Sequence, residues 1–364
     1  MEVHVWELVE LTLKGETRIT NPYMDVDLWI DLDGPGFSKR IYGFWDGDTV
    51  YRIRFVATCE GEWRWLSKSN QDDPGLNGKS GSFTALAWTE QEKLANPCRR
   101  GFIRNTANKR AFKYADGTPY YLLADTWWAA PTFRFPWNDD DDPRSWGREL
   151  GFKDMVKFRK QQGYNCIGMI AALPHWDKDG FPATIQERYD GELISVREAW
   201  EKAGEGTAKD MHNEGGRPFT FPGKVPGLED IVPDFEKVNP AYFQHMDKKV
   251  SYLNSQGFTV FIESVRRDVS TVWRRYYPWP ETFSRFLFYL FARYQAHNCL
   301  FSPIHYDYFG HSIPAKDYLE PIQHWLDQYG MPPFGTPMSN NASPSTLVNF
   351  GSPEDARWLT FHQI

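Results

Sequence analysis

The sequence predicts an α/β protein with an all-β N-terminal domain, a β-sandwich followed by a (β/α)8 barrel of the TIM type. Three observations predict it. Short strand-like runs separated by turn residues fill residues 1–88. From Tyr120 onward, apolar strands alternate with helical segments that stop on glycine. Those later strands are apolar without alternation, as parallel strands buried on both faces must be.

The elements follow in order. HVWELVELTL, DVDLWIDLD, IYGFWDGDTVYRIRFVA, GEWRWLSKS and GSFTAL alternate or run apolar, which suggests an antiparallel sandwich over 1–88. Asp46 and Asp48 in GFWDGDTVY belong to a turn, with a calcium role as the minor alternative. A linker over 89–105 leads to the barrel region, 106–364. There YYLLADTWW (Tyr120 to Trp128) is the first strand, and GFKDMVKFRKQQGYN has helical spacing with a stop at Gly163. CIGMIAALP (Cys166 to Pro174) is the second strand. A Gly-, Pro- and charge-rich insertion fills Trp176 to Asn239. PAYFQHMDKKVSYLNSQG is a helix ending on Gly257, and FTVFIESV (Phe258 to Val265) is the third strand. PETFSRFLFYLFARYQAH is a helix, NCLFSPIHYD the fourth strand, and IPAKDYLEPIQHWLDQYG a further helix. PPFGTPMSN is a weak fifth strand, and WLTFHQI begins a sixth. About six βα units are therefore expected where a closed barrel needs eight. The barrel is expected to be C-terminally incomplete, a fragment or an open variant.

Composition removes several classes of function. A net charge of -7 with no basic stripe argues against nucleic acid as a partner. No run of about 18 apolar residues exists to span a membrane. The start, MEVHVWELVE, lacks a signal-peptide pattern. The expected location is cytoplasmic, or secreted or periplasmic if a signal was removed before Met1. Cys59, Cys98, Cys166 and Cys299 are scattered, which disfavours a disulfide framework or a zinc site. Cys166 and Cys299 fall in core strands as small buried residues. The absence of His-x-x-x-His, Gly-x-Ser-x-Gly and phosphate-loop patterns weakens protease, esterase and nucleotide-binding readings. No cofactor is expected, and the oligomeric state is open.

Aromatic residues make up 16% of the chain, with 16 Trp, 18 Tyr and 26 Phe, and several Trp sit beside Asp, His or Arg. Aromatic faces stack on the C–H faces of sugar rings while polar neighbours bind hydroxyls, so a carbohydrate site is favoured over a large aromatic core. The expected partner is a carbohydrate substrate.

Candidate residues cluster at strand ends, where a barrel presents side chains to its cleft. Asp307, between Tyr306 and Tyr308, is the expected catalytic carboxylate, with helix or turn capping as its alternative. Glu263 ends the third strand and is the second catalytic candidate; an ion pair with Arg266 is the alternative. Asp125, before Trp127 and Trp128, can grip sugar hydroxyls beside a stacking face, or else cap a loop over a core Trp pair. His175 and Trp176 end the second strand, and His305, Tyr306 and Arg266 complete the proposed substrate contacts. Arg134, Trp137 and His362 are weaker candidates. The run Asn138 to Asp142 reads as a solvated charge run before a calcium site.

GFWDGDTVYRIRF, GEWRW and GSFTA together resemble the N-terminal β-sandwich domain that precedes many bacterial glycoside hydrolase barrels. FKYADGTPYYLLADTWW, GYNCIGMIA and NCLFSPIHYD resemble the apiosidase-like (β/α)8-barrel glycoside hydrolases. The resemblance covers nearly the whole chain. It implies an acid/base carboxylate at the end of the fourth strand, which falls on Asp307, and a nucleophile on a seventh strand with no counterpart here. His305-Tyr306-Asp307 departs from the Asn-Glu or Gly-Asp that such barrels carry there. The expected function is cleavage of glycosidic bonds in a plant or microbial polysaccharide or oligosaccharide by carboxylate acid/base chemistry. The alternatives are a non-catalytic carbohydrate-binding or scaffold protein and, behind it, a polysaccharide lyase using Tyr306 or His305 as base.

Overall fold

The computed structural model describes residues 2–137, 151–172, 186–189, 192–195, 212–227, 229, 232–265, 269–306, 314–342, 345–351, 354 and 356–363. The chain begins with β1 (Glu2–His4), β2 (Val9–Lys14), the single turn α1 (Pro22–Asp25), β3 (Leu28–Gly34), β4 (Phe37–Tyr42), β5 (Phe44–Trp45), β6 (Val50–Phe55), β7 (Gly61–Ser69) and β8 (Ser80–Leu86). These strands form a five-stranded sheet, β1-β8-β7-β3-β4, and a three-stranded sheet, β2-β6-β5. Strand alternation turns Leu28, Ile30 and Leu32 of β3 inward, against Tyr51, Ile53 and Phe55 of β6. Trp63 and Phe83 fill the space between the sheets, which makes the N-terminal region the expected sandwich.

After the sandwich comes α2 (Glu90–Ala95), started by a capping box in which Thr89 and Glu92 satisfy each other's backbone N–H groups. Three short strands, β9 (Arg104–Asn105), β10 (Phe112–Lys113) and β11 (Pro119–Tyr120), form an antiparallel meander. Then follow β12 (Ala124–Thr126), α3 (Phe152–Gln161), β13 (Cys166–Ala172), the hairpin β14 (Gln186–Tyr189) and β15 (Glu192–Ser195), and the pair β16 (Phe219–Thr220) and β17 (Asp234–Val238). The remaining elements are α4 (Pro240–Ser255), β18 (Thr259–Val265), α5 (Val269–Tyr276), α6 (Glu281–Tyr294), β19 (Cys299–Ser302), β20 (His305–Tyr306), α7 (Leu319–Tyr329), β21 (Asn341–Ala342) and α8 (Thr346–Phe350).

The second architecture is a parallel sheet in chain order, β12-β13-β18-β19. A parallel bridge from Phe301 to Met338 and the parallel pair β20–β21 carry it to a fifth position. Sequential order with helical crossovers is how a (β/α)8 barrel grows, and among the described residues the sheet is open. Its outer face (Ile167, Met169, Val260, Ile262, Cys299 and Phe301) shares one core with Val156 of α3, Val250 and Leu253 of α4, and Phe286 and Leu290 of α6. At the amino end of the sheet, Ile103, Tyr114 and Tyr120 cluster with Leu300, with Phe261 packed against them.

Four expected strands differ from the sequence reading, and PPFGTPMSN is one of them, forming only the isolated bridge at Met338. YYLLADTWW is split, because Tyr120 joins the meander and only Ala124–Thr126 joins the parallel sheet. The Asn165 side chain takes over the backbone between them, accepting from Leu123 N–H at 2.9 Å and donating to the Tyr121 carbonyl at 2.6 Å. NCLFSPIHYD is interrupted at Pro303, which has no N–H to donate to a ladder. WLTFHQI forms no strand among its described residues. It does lie beside the fifth position, with Thr360 N–H donating to the Met338 carbonyl at 2.8 Å.

Candidate active site

Period-2 alternation decides which side chains leave the core. On β18, Val260 and Ile262 belong to the outer core, so Glu263 falls on the inner face at the carboxyl-terminal half of the strand. The register runs from Ile170 of β13 to Glu263 and on to Ser302 of β19. Trp128 joins the same level, since its carbonyl accepts from Ile170 N–H at 3.1 Å.

Glu263 is 1% exposed, and its Oε2 lies 2.5 Å from His305 Nδ1. Its Oε1 has no hydrogen-bond partner among the described residues. Burial raises the Glu263 pKa above the usual carboxylate value, and the charge and hydrogen bond of His305 offset part of that rise. The His305 ring meets Trp128 edge-on, with centroids 4.4 Å apart. Trp128 itself is half-buried against Ala129 and Ile170. Glu263, His305 and Trp128, from the third, fourth and first positions of the parallel sheet or their extensions, thus form one cluster. A buried carboxyl of raised pKa can hold a proton for delivery, and an indole face can carry a sugar ring.

The other candidates are placed differently. Asp125 Oδ2 accepts from Trp127 Nε1 at 2.7 Å and from Arg159 Nε of α3 at 2.5 Å. Trp127 packs on Phe135 and Phe152. Both residues therefore face the helix layer and are not brought to the Glu263 cluster. Tyr306 packs edge-on against Tyr318 and Phe350. Trp137 stacks on Phe152 with Tyr252 at its edge. The backbone N–H of Arg134 donates to Thr132 Oγ1 at 3.3 Å, and His362 is exposed. Asp307, Arg266, His175, Trp176 and the run 138–142 lie outside the described residues. The calcium alternative at Asp46 is corrected, because its carboxylate is engaged by Arg52 at 2.5 Å and Arg293 at 2.8 Å.

Sequence reasoning missed Lys249. Its ammonium, 0% exposed, donates to the carbonyls of Ala130 at 2.7 Å, Phe135 at 2.8 Å and Thr132 at 3.2 Å. It thereby ties down the chain that leaves β12 past Trp128. The legible signal was its spacing: Met246, Lys249, Val250 and Leu253 share one buried face of α4. Nearby, Glu214 pairs with His245 at 2.6 Å. Burial would raise the Glu214 pKa, but the hydrogen bond and charge of His245 together with backbone N–H groups, that of Trp137 among them, outweigh it and bring the group down to about 2.

A sequential parallel sheet with a buried carboxyl and an aromatic side chain on its inner face has the strand order of a (β/α)8-type barrel. Residues 106–315 match the apiosidase-like catalytic domain, and the chain belongs to that family. Residues 2–70 match a domain of unknown function, DUF5060. Among solved structures, a glycoside hydrolase candidate from Bacteroides vulgatus aligns at 22% identity with a TM-score of 0.65, over 93% of this chain and 55% of that one. The chain thus spans little more than half of that neighbour's length, and at this identity the likeness is one of fold. A glycoside hydrolase family 5 protein from Bacteroides vulgatus aligns at 16% identity with a TM-score of 0.43, over 73% of this chain and 44% of that one. No curated protein matches the chain.

Proposed function

We propose that the protein hydrolyses glycosidic bonds in a plant or microbial polysaccharide or oligosaccharide, at the inner face of the parallel sheet. The observation that carries this reading is Glu263, a buried carboxyl with one oxygen on His305 and the other without a partner among the described residues. Such a group is costly to bury, and carboxyls with raised pKa values concentrate at catalytic sites. Membership of the apiosidase-like family supports the same chemistry. In this reading Asp307 is the general acid/base and Glu263 the second carboxylate or a substrate contact. Trp128 carries the sugar ring and His305 orients Glu263. Domain limits of 1–88, a linker over 89–105, and 106–364 accompany the proposal.

The test is reducing-sugar release from a panel of glycans by the wild type, Glu263→Gln and Asp307→Asn. Loss of a positioned acid or base is expected to lower turnover by about 10²–10⁴-fold. Full activity in both variants would sink the assignment. Binding without turnover, undiminished by Asp307→Asn, would make the protein a carbohydrate-binding module, and unsaturated products absorbing in the near ultraviolet would make it a lyase.

A further inference from the structure

A second feature lies on the sandwich, built from residues that take no part in the Glu263 cluster. A groove of about 730 Å³ opens between the chain at Thr17–Pro22 and the β5–β6 hairpin, lined by Trp45, Tyr51, Arg18, Thr20, Asp48 and Thr49 among others. Its volume lies within the range of about 300–1,000 Å³ that small-molecule sites occupy.

Both walls are held in place. The carboxylate of Asp73, 1% exposed, accepts from the backbone N–H groups of Glu16, Thr17 and Gly75 at 3.0, 2.9 and 2.7 Å. That fixes the first wall at its start. On the other wall, Trp45 and Tyr51 stand directly opposite each other on paired strands, so their side chains share one face. The Trp45 indole N–H donates to the Asp48 carbonyl at 2.9 Å, which sets the ring plane. Asp48 adopts the left-handed backbone at φ 45° that closes this hairpin. Tyr51 is 3% exposed and belongs to the sandwich core, so the ring offered to the groove is the half-buried Trp45, for which no ring contact or cation over the ring is found among the described residues. Arg18, exposed, likewise makes no ion pair among the described residues.

We propose that this groove is a non-catalytic carbohydrate-binding site. An oriented indole without a ring partner suits the C–H face of a sugar ring. The threonine hydroxyls, the Asp48 carboxylate and the Arg18 guanidinium surround it with the donors and acceptors that ring hydroxyls need. An apolar peptide would leave those groups unpaired. A nucleotide would set phosphates beside Asp48, with Arg18 as the one cation among the lining residues. The groove holds one or two sugar units and anchors the polysaccharide through residues that take no part in the Glu263 cluster. It stands independently of the glycosidase reading, since a pure binding protein would use it equally well.

The test is affinity electrophoresis of the full chain in gels containing soluble xylan, xyloglucan or pectin, with wild type, Trp45→Ala, Arg18→Ala and Glu263→Gln. Retardation of the wild type by at least one polysaccharide is expected, retained in Glu263→Gln. Affinity is expected to fall about tenfold in Trp45→Ala and Arg18→Ala. Trp45 also touches both cores, so its variant counts only if its melting temperature is unchanged; otherwise Arg18→Ala, at an exposed position, decides alone. No retardation on any of the three polymers overturns the proposal, as does undiminished affinity in the variants that count.

Discussion

Lys249 shows what one buried residue does to the rim of the sheet. Its three carbonyl contacts gather Ala130, Thr132 and Phe135 into a fixed turn immediately after Trp128. Burial pushes its pKa down to about 7, and the Glu214 carboxylate offsets part of that fall. The folded amine therefore holds its proton less tightly than the unfolded chain does. The cost is fully present below about pH 7 and fades as pH rises toward the ordinary lysine value. Removing the side chain leaves three buried carbonyls to find new partners. Lys249→Met is expected to cost about 1–3 kcal/mol. Its denaturation midpoint should also lack the rise that lysine contributes to the wild type between about pH 7 and pH 9. Equal pH slopes in the two proteins would contradict a depressed amine. Glu263 is the opposite case. Burial on the inner face of β18 raises its carboxyl pKa, and the charge and hydrogen bond of His305 offset part of that rise.

At the scale of elements, glycine marks what the sequence could and could not reveal. Gly163, Gly257 and Gly330 adopt φ of 83°, 89° and 80° just past α3, α4 and α7, so the expected helix stops stand where the composition put them. Gly34 could not be read that way. A Cβ there would sit 2.3 Å from the Trp63 ring, which crosses the end of β3. Gly34→Ala is accordingly expected to cost about 1–3 kcal/mol by overpacking. Gly168 on the inner face of β13 is a control, since its Cβ would meet nothing nearer than Thr126 at 3.7 Å, and Gly168→Ala should melt near the wild type. Comparable losses in the two variants would mean that strand flexibility matters more than contact. The strand ends were less legible than the helix stops. Asn165 diverting Tyr121 and Leu123 from the ladder is a contact across more than forty positions, invisible to local pattern.

Across the whole molecule, the sandwich and the parallel sheet are joined through buried charge as well as apolar surface. Arg293 of α6, fully buried, donates to Asp46 of the sandwich at 2.8 Å and to Asp247 of α4 at 2.9 and 2.7 Å. Arg54 of β6 donates to Asp247 at 2.7 Å and to the Arg293 carbonyl at 3.0 Å. Truncating one partner of such a network strands the others, so Arg293→Ala should lower stability by about 3–5 kcal/mol. Scanning calorimetry should then resolve the single transition expected of the wild type into two. A single transition at the wild-type temperature would show that apolar packing alone couples the halves. By itself the sequence determined the order of sandwich and βα units, the buried character of Cys166 and Cys299, and a carboxyl, Glu263, near the end of the third strand. Those follow from period, turn chemistry and hydrophobicity, which are local. Tertiary structure alone decided that Asp125 and Trp127 turn to α3, that Asp46 serves Arg293 in place of a cation, and that Lys249 holds the rim. Each depends on which distant group arrives within about 3 Å, and hydrogen bonds and ion pairs are too short-ranged for spacing along the chain to foretell.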